Sequence, residues 1–382
     1  MGSQEIGVVG AGPVGLRCAT RLAEKGFSVK VFEDHGEVGT PVNCSGLISK
    51  SNTDSLGIPV KECTVNEIRG ARIFAPNTTM LEVERKEPVA YVVDRAQYDK
   101  VHLKQAQDAG VQIQYHSRVI DARGGTLFVK VGERGEMEKS KVIVGADGVQ
   151  SKVRKIMGFE PGSESFVHSI QMTAKGKFDP HFVEVHLGPF APGYFAWVIP
   201  ESKSVARMGL GFKVGTNPNE AFKKFIESRG FEVETCFHCS ALIPCTPPMK
   251  NVVKENMALV GDAAMQAKAT TGGGLILGAM AADILSESII GHLKNGTALT
   301  QYEKNLKDLN KEFNLHWKIR QYFNALNEDQ VNRLFIKAKK AGVEEFLSKE
   351  GDMDMPSKFI GKALARPRLF LLAPQLLRMA LA

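Results

Sequence analysis

The sequence predicts an α/β fold, α+β overall, made of a first domain with a three-layer ββα sheet, an antiparallel-sheet domain and a helical C-terminal region. Three observations predict it. A strand, a glycine turn, a helix and a second strand follow one another between Ile6 and Glu33. Apolar and polar residues alternate, with the period of a strand, in residues 69–84 and in parts of 166–212. Beyond Tyr302 the pattern is mostly helical.

The composition is that of an ordinary globular protein. The chain has 382 residues, of which 43% are hydrophobic and 24% charged, enough for two closely joined domains. The formal charge of +7 favours anionic ligands. No basic block longer than residues 337–340 stands out and aromatic residues are not interleaved with the charges, so we expect no nucleic-acid partner.

We expect neither a signal peptide at the N-terminus nor a membrane-spanning segment. The apolar stretch after Glu5 is too short for a signal peptide, and no apolar run approaches the roughly 18 residues that cross a bilayer. We therefore expect a cytoplasmic protein, either soluble or peripheral on the inner face of the membrane. The six cysteines include one CxxC pair, Cys236 and Cys239, which we expect to be two unreacted thiols and no metal site.

The first domain opens with a βαβ unit. Residues 6–10 are a short apolar strand, residues 14–25 have the apolar period of a helix, and residues 29–33 are a second strand. The turn between the strand and the helix fits the pattern G-x-G-x-x-G through Gly10, Gly12, Pro13, Val14 and Gly15.

Each glycine of that turn has a physical role in holding a dinucleotide. Gly10 permits a tight turn, Gly12 lets the backbone approach a pyrophosphate, and Gly15 allows the helix to pack closely on the strand. The helix N-terminus adds unpaired N–H groups and a partial positive charge. Glu33, at the end of the second strand, is placed to accept hydrogen bonds from ribose hydroxyls. The motif does not separate FAD from NAD.

The remaining elements follow in chain order. Residues 44–56 are rich in Ser, Gly and Asn and are expected to form a long functional loop. We expect a hairpin at 69–84, a helix at 94–109, strands around 111–115, 127–131, 141–144 and 258–260, and a long helix at 273–293. The predicted nucleotide domain is discontinuous, at 1–68, 92–160 and 250–295. The antiparallel domain takes 69–91 and 161–249, and the helical region takes 296–382.

Two later segments separate FAD from NAD. Residues 142–154 contain Asp147 and Gly148, and residues 259–264 contain Gly261 and Asp262, with a glycine run following at 272–274. In this order the motifs resemble the glutathione-reductase-type flavoproteins related to p-hydroxybenzoate hydroxylase. The resemblance implies a Rossmann-type FAD-binding domain in which Asp262 holds the ribityl or pyrophosphate part of FAD. A surface turn at Asp147 is the alternative.

The glycine run has a physical reason to face the flavin. A glycine turn that opens a helix points positive dipole ends at the site, near flavin N1, where negative charge gathers on reduction. The resemblance places the pyrimidine side of the ring against this run.

Three further segments resemble the geranylgeranyl reductase family, whose members saturate isolated double bonds of isoprenoid chains, including those of archaeal membrane lipids. Residues 40–47 are similar to its cysteine loop, which places Cys44 at the flavin. Residues 92–99 are similar to its Asp-Arg helix start, which makes Arg95 a cofactor contact. Residues 192–200 resemble its substrate-strand signature, and the likeness runs from residue 6 to about residue 290.

The predicted cofactor-binding residues are Gly10, Gly12, Pro13, Val14, Gly15, Glu33, Cys44, Arg95, Val119, Asp147, Gly148, Gly261, Asp262, Gly272, Gly273 and Gly274.

The substrate-strand signature departs from the family's Tyr-x-Trp-x-Phe-Pro. Phe195 and Ile199 stand at its first and penultimate positions, and Tyr194 is displaced by one; Ser45 stands where the cysteine loop often has glycine. Flavin-dependent halogenases carry Trp-x-Trp-x-Ile-Pro in the same region. The segment therefore leaves two other hypotheses open: a monooxygenase or halogenase acting on an aromatic substrate, and a flavin-to-quinone electron-transfer enzyme, for which the scattered cysteines supply no iron–sulfur ligand set.

Reduction of an isolated C=C bond needs a hydride from the flavin and a proton for the adjacent carbon, in a pocket poor in water. Phe195, Trp197 and Ile199 are the predicted substrate-binding residues. Trp197 is also a catalytic candidate, because an aromatic face stabilises positive charge developing on carbon; ordinary core packing is the alternative. Cys44 and Tyr194 are the candidate proton donors, with inert packing as the alternative for the thiol.

Only one dinucleotide fingerprint is present, so the electron donor is expected to dock transiently, as NAD(P)H, ferredoxin or a deazaflavin. The expected substrate is an isoprenoid lipid or a prenyl diphosphate. Residues 364–379 combine apolar and basic residues, and no acid follows Asp354. This composition suits a segment lying on an anionic membrane or one packed on the catalytic domain or on a second copy.

Overall fold

The computed structural model describes residues 5–364 together with Arg366 and Leu369. The strands of this part are β1 (Ile6–Val9), β2 (Val29–Phe32), β3 (Leu47–Ser49), β4 (Thr64–Ile68), β5 (Gly70–Phe74), β6 (Met80–Glu84), β7 (Ala90–Val93), β8 (Gln112–Gln114), β9 (Ser117–Arg123), β10 (Thr126–Val131), β11 (Arg134–Lys139), β12 (Val142–Gly145), β13 (Phe166–Lys175), β14 (Phe182–His186), β15 (Ala196–Pro200), β16 (Val205–Phe212), β17 (Glu234–Pro244), β18 (Val253–Lys254) and β19 (Met257–Leu259).

The α-helices of the same part are α1 (Pro13–Glu24), α2 (Lys50–Ser55), α3 (Arg95–Asp108), α4 (Lys152–Ile156), α5 (Pro218–Arg229), α6 (Leu275–Asn295), α7 (Gln301–Asn305), α8 (Lys307–Asn324), α9 (Glu328–Lys340), α10 (Val343–Glu350) and α11 (Ser357–Leu364).

A six-stranded sheet forms the centre of the predicted nucleotide domain. Its strand order is β18-β19-β12-β1-β2-β8, and every neighbouring pair is parallel except β18 with β19. All residues of β1 and β12 are buried, as expected for parallel strands covered on both faces. Leu127 of β10 lies against Gly7 of β1, so the antiparallel sheet β11-β10-β9 forms the second layer. Helices α1, α3 and α6 form the third, which confirms the predicted ββα layering.

A seven-stranded sheet forms the second body of β structure, in the order β17-β13-β16-β15-β14-β5-β6. The predicted hairpin of residues 69–84 is its β5–β6 edge. One pair is parallel, β14 with β5, because the connection between them is long. Helix α5 packs on one face through Phe222 and Phe225. The sequence interpretation missed this helix, although Asn217 caps its first turn and Gly230 ends it with φ 65°.

The prediction of a long loop at residues 44–56 is wrong from Leu47 onwards. Strand β3 pairs antiparallel with β7, and α2 follows it at once. The Ser and Thr residues that suggested a loop satisfy the short helix instead: the Thr53 hydroxyl donates to the Ser49 carbonyl at 2.5 Å and the Ser55 hydroxyl to the Asn52 carbonyl at 3.0 Å. Such residues bond local backbone groups in helix ends as well as in loops.

The C-terminal helices cover the outer hairpin of the second sheet. Phe335 of α9 and Phe346 of α10 share a core with Leu81 of β6. Within the described part of the chain, α6 is the one helix with the length and composition to cross a membrane. It packs along α1 at the centre of the first body, with Leu277 and Leu285 fully buried. The predicted membrane-binding segment 364–379 lies outside the described residues except for the helix end at Leu364, Arg366 and Leu369.

Candidate active site

The turn between β1 and α1 has the geometry that the glycine pattern predicts. Gly10 has φ 99°, and a Cβ there would lie 2.5 Å from the Ala146 carbonyl oxygen. A Cβ on Gly15 would lie 2.4 Å from the Gly10 oxygen, whereas one on Gly12 would meet no heavy atom within 4 Å. Gly12 caps α1, and Pro13 opens the helix. Open space at a helix N-terminus fits an approaching pyrophosphate.

Glu33 lies beside this turn. One oxygen of its carboxylate accepts a hydrogen bond from the Ala11 N–H at 2.8 Å, and the other accepts from the His35 N–H at 3.0 Å. The His35 ring lies 2.6 Å from the same carboxylate, and the hydrogen bond to Glu33 raises the pKa of His35. A carboxylate oxygen has two acceptor positions, so Glu33 keeps capacity for ribose hydroxyls.

Two later turns lie beside the first turn of α1: the turn at residues 261–264 and the glycine run at residues 272–274. A Cβ on Gly261, which has φ 68°, would lie 3.1 Å from the Val14 side chain, and a Cβ on Gly274 would lie 2.8 Å from Oδ1 of Asp262. Asp262 is therefore next to both the βαβ turn and the glycine run. Within the described chain no hydrogen bond reaches its carboxylate. Burial raises the pKa of Asp262 to about 6.

Arg95 and Cys44 lie next to each other. Arg95 begins α3, which Asp94 caps by accepting from the Gln97 N–H, and its guanidinium bonds both carboxylate oxygens of Asp99 at 2.7 and 3.0 Å. Burial acts to lower the pKa of Arg95, but the Cys44 sulfur and the Asp99 carboxylate outweigh it and raise that pKa. The buried Nε of Arg95 has no partner within the described chain, so it is a donor available to a ligand.

Arg207 on β16 connects the second sheet to the cysteine loop. Its guanidinium donates to the carbonyls of Ser45 at 2.7 Å and Val93 at 2.9 Å, and to the Glu201 carboxylate at 2.6 Å. The residue is 9% exposed. The sequence interpretation missed this residue; an arginine between apolar neighbours in a buried strand was the available signal.

Two glycines of β16 make room for the aromatic residues of the predicted substrate strand. A Cβ on Gly209 would lie 2.5 Å from the Trp197 ring, and one on Gly211 would lie 2.3 Å from the Tyr194 ring. Tyr194 stacks on Phe195 with ring centres 4.3 Å apart. Since β16 alternates, these rings lie on the face from which Arg207 reaches the cysteine loop.

The Tyr194 hydroxyl lies at the glycine run. A Cβ on Gly272 would be 2.7 Å from that oxygen. Burial raises the pKa of Tyr194 well above its ordinary value, so the hydroxyl keeps its proton, and it has no partner within the described chain. Ile199, the third predicted substrate-binding residue, is buried in a core with Ile68 and Val92, whereas Phe195 and Trp197 are only partly buried.

Gln171 on β13 is a second residue that the sequence interpretation missed. Its side-chain oxygen accepts from Trp197 Nε1 at 3.2 Å, and because an indole N–H can only donate, this contact fixes which end of the amide is nitrogen. The amide is 3% exposed, and its nitrogen has no partner within the described part of the protein. A buried donor left unpaired costs about 1–3 kcal/mol.

For two further predicted residues, Asp147 and Val119, the structure gives only contacts within the protein. The Asp147 carboxylate accepts from the Ser151 hydroxyl at 2.5 Å and the N–H groups of Lys152 and Val153 at 2.6 and 3.0 Å, so it organises its own turn, in which Gly148 has φ 73°. Direct contact of Asp147 with a cofactor stays a prediction. Val119 is buried in β9 opposite Val129, and its predicted cofactor contact is likewise untested.

Arg154, within the segment 142–154, connects the turn at Gly148 and Val149 with the turn at Asp262 and Ala263. Its guanidinium donates to the carbonyls of Val149 at 2.7 Å, Ala263 at 3.1 Å and Asp262 at 3.4 Å. The sequence interpretation included this residue in the segment 142–154 but gave it no role.

Comparison with known proteins agrees with this geometry. Residues 3–230 match the family described as FAD binding domain. The chain is 30% identical over 364 residues to a digeranylgeranylglycerophospholipid reductase of Methanothrix thermoacetophila, covering 89% of this chain and 93% of the relative.

Two solved structures share the fold. A geranylgeranyl bacteriochlorophyll reductase-like protein of Thermoplasma acidophilum superimposes with a TM-score of 0.86 at 21% identity, covering 97% of this chain and 98% of its own. A myxobacterial chondrochloren halogenase superimposes with a TM-score of 0.73 at 17% identity, covering 94% and 92%.

Proposed function

The chain belongs to the FAD-binding oxidoreductase family that includes the archaeal digeranylgeranylglycerophospholipid reductases, and we propose that it saturates C=C bonds in the geranylgeranyl chains of lipids or their precursors. One observation carries the proposal: the apolar, aromatic face that holds Tyr194 and Trp197 meets the glycine run at Gly272. A reduced flavin against that run would face an apolar wall.

The cofactor is FAD, and we assign its parts to the first turn of α1, to Glu33 after β2, to the turn at Asp262 and to the start of α3. The N-terminus of α1 at Gly12 would hold the pyrophosphate, and Glu33 the adenosine ribose. Asp262, whose carboxylate accepts no bond within the described chain, would take ribityl hydroxyls. Arg95, with its unpartnered Nε, would contact the flavin. FAD supplies the hydride when it is bound and reduced.

The aromatic residues would orient the prenyl chain and exclude water. Phe195 and Trp197 are partly buried with ring centres 6.0 Å apart, and Gly209 and Gly211 make room for the rings of Trp197 and Tyr194. Apolar walls remove water from the reacting carbon, and the ring faces stabilise positive charge there. Besides the Tyr194 hydroxyl, the Gln171 amide nitrogen is a second donor of this face without a partner in the described chain, and we assign it to an oxygen of the substrate.

We propose that one of two side chains gives a proton to the adjacent carbon. Cys44 is half-buried beside Arg95, and its sulfur accepts from the Gly46 N–H at 3.4 Å. Tyr194 keeps its proton because it is buried. We propose Cys44 as the donor or substrate-positioning group and Tyr194 as the second candidate.

The flavin must be reduced by a donor that docks transiently, either NAD(P)H, ferredoxin or a deazaflavin. We propose a cytoplasmic enzyme that meets its lipid at the inner face of the membrane, and we retain the three-part division of the chain given by the sequence.

Anaerobic titration tests the function. The purified yellow protein is reduced with dithionite under argon and mixed with digeranylgeranylglycerophospholipid. We expect the oxidised flavin spectrum to return and the lipid to gain mass in steps of two hydrogens. A flavin that stays reduced with this lipid, yet forms a hydroxylated or halogenated aromatic product when oxygen is admitted, would replace this proposal with the monooxygenase or halogenase alternative.

A further inference from the structure

A buried ion pair lies beneath the glycine run. Lys268 is 4% exposed and Asp354 is fully buried, and the Lys268 Nζ lies 2.5 Å from Oδ1 of Asp354. The same ammonium donates to the Met353 carbonyl at 3.3 Å. Among the ion pairs of the described residues, none has both side chains so deeply buried.

Asp354 is held from three directions. Its second oxygen accepts from the Ser49 hydroxyl and from the Asn52 amide at 2.8 Å, which come from the strand and helix that follow the cysteine loop. Burial acts to raise the pKa of Asp354, but Lys268 and these donors lower it overall. The carboxylate is therefore ionised, and the pair consists of two charges.

His316 of α8 adds a hydrogen-bonded link and no charge. Its Nε2 donates to the Asp354 carbonyl at 3.0 Å, so its Nδ1 accepts from the Thr270 hydroxyl at 2.6 Å. Burial lowers the pKa of His316 to about 4, which keeps the ring neutral. The helical C-terminal region is thus bonded to the loop that carries the glycine run.

The ammonium lies against the glycine run itself. Lys268 N–H donates to the Gly273 carbonyl at 3.2 Å, and Gly272 N–H donates to the Lys268 carbonyl at 2.7 Å. A Cβ on Gly273 would lie 2.8 Å from Cε and 3.1 Å from Nζ of Lys268, while a Cβ on the next residue, Gly274, would meet Asp262. Successive residues of this turn therefore contact Lys268 of the ion pair and Asp262 of the proposed cofactor site.

We propose that Lys268 and Asp354 are positioning residues that hold the glycine run and set the electrostatic potential at the pyrimidine edge of the flavin, which makes Asp354 of the C-terminal region part of the flavin site. The inference rests on the proposed placement of the flavin. A buried ion pair adds little to folding free energy compared with apolar packing. Charge near the flavin ring, in contrast, changes how strongly the reduced, anionic form is bound relative to the oxidised form.

The two charges make opposite predictions. Lys268→Met leaves the carboxylate unbalanced, so the midpoint potential of bound FAD falls and reduced FAD binds less tightly relative to oxidised FAD. Asp354→Asn leaves the ammonium unbalanced, so the potential rises. The double variant has neither charge and returns towards the potential of the natural chain. The measurement is equilibration of the purified holoprotein with a redox dye, without lipid.

A matched control separates charge at the flavin from loss of an ion pair in general. Arg72 of β5 pairs with Glu82 of β6 and with Asp179, which lies between β13 and β14, and Arg72→Met should leave the potential unchanged. Lys268→Gln replaces the Met variant if that one does not fold. Single variants that shift the potential in the same direction, or by no more than Arg72→Met does, would overturn the inference. Opposite shifts in a protein that does not reduce prenyl lipid would retain it and reject the proposed substrate.

Discussion

The hydroxyl oxygen of Tyr194 lies against the backbone of Gly272, where an added Cβ would approach it to 2.7 Å. Arg320 of α8 strengthens this junction. Its guanidinium lies 4.7 Å from the Tyr194 ring centre and donates to the carbonyls of Gly193 at 2.7 Å and Ala269 at 3.3 Å. Tyr194 and Arg320 therefore connect the second sheet to the loop that carries the glycine run.

Gly272 has φ 72°, a conformation that costs an L-residue about 1–2 kcal/mol, and its Cβ would also displace Tyr194. We expect Gly272→Ala to weaken FAD binding about tenfold, measured by fluorescence titration of the flavin-free protein. Adding Tyr194→Phe removes the contact with the hydroxyl but leaves Ile243, 2.8 Å from the new Cβ, so it should recover only part of the loss. Gly291→Ala in α6, whose Cβ has only ordinary contacts, is the control. Unchanged affinity in Gly272→Ala would place the flavin elsewhere.

Gly12 gives a second prediction that separates folding from cofactor binding. Its Cβ would point into open space, so Gly12→Val should fold normally and yet lose the yellow colour, since the side chain occupies the pyrophosphate position. Circular dichroism and the visible spectrum measure the two effects. Gly135→Val, at an equally open position on β11, should keep the flavin. A yellow Gly12→Val protein would contradict the assignment.

Cys44 is tested by its nearest isostere. Cys44→Ser should keep FAD and slow turnover of the prenyl lipid at least about a hundredfold if the thiol is the general acid, measured under single-turnover conditions. Cys236→Ser, at an exposed cysteine, is the matched control and should have full activity. If Cys44→Ser is as active as the natural chain, Cys44 has no part in the chemistry and Tyr194→Phe becomes the next variant to measure.

The buried Asp262 carboxylate should make the stability of the flavin-free protein depend on pH. Burial raises its pKa from 3.8 to about 6, so the folded, flavin-free protein binds a proton that the unfolded chain has released. Its favourable contribution is full below about pH 3.8 and is lost as the pH rises through about 6. Asp262→Asn removes this dependence. As the pH rises from about 3.8 to about 6, the unfolding free energy of the variant should therefore increase relative to that of the natural chain, by up to about 3 kcal/mol.

Thermal unfolding at several pH values measures this difference. Asp308→Asn changes a carboxylate that is 90% exposed and should leave the profile unchanged above pH 5. Parallel curves for the natural chain and Asp262→Asn would show that the Asp262 carboxylate is not buried in the flavin-free protein.

Local patterns predicted much of the fold because they act over a few residues. The alternation of residues 69–84 and the apolar period of residues 14–25 indicated the β5–β6 hairpin and α1, and the glycine pattern indicated the turn between β1 and α1. The same local reasoning was wrong at Leu47–Ser55, where cap-forming residues were interpreted as a loop. Short elements such as β3 carry too little periodicity to outweigh composition, and pairing with β7 decides them.

By itself, the sequence determined the family, the cofactor and the order of the three turns, because each depends on glycines and acids that are close together in the chain. Only the tertiary structure decided which distant groups meet: Arg207 with the cysteine loop, Gln171 with Trp197, and Lys268 with Asp354. Such partners are separated by 26 to 162 residues. No local propensity specifies them, since they are brought together by the packing of sheets and helices that bury apolar surface.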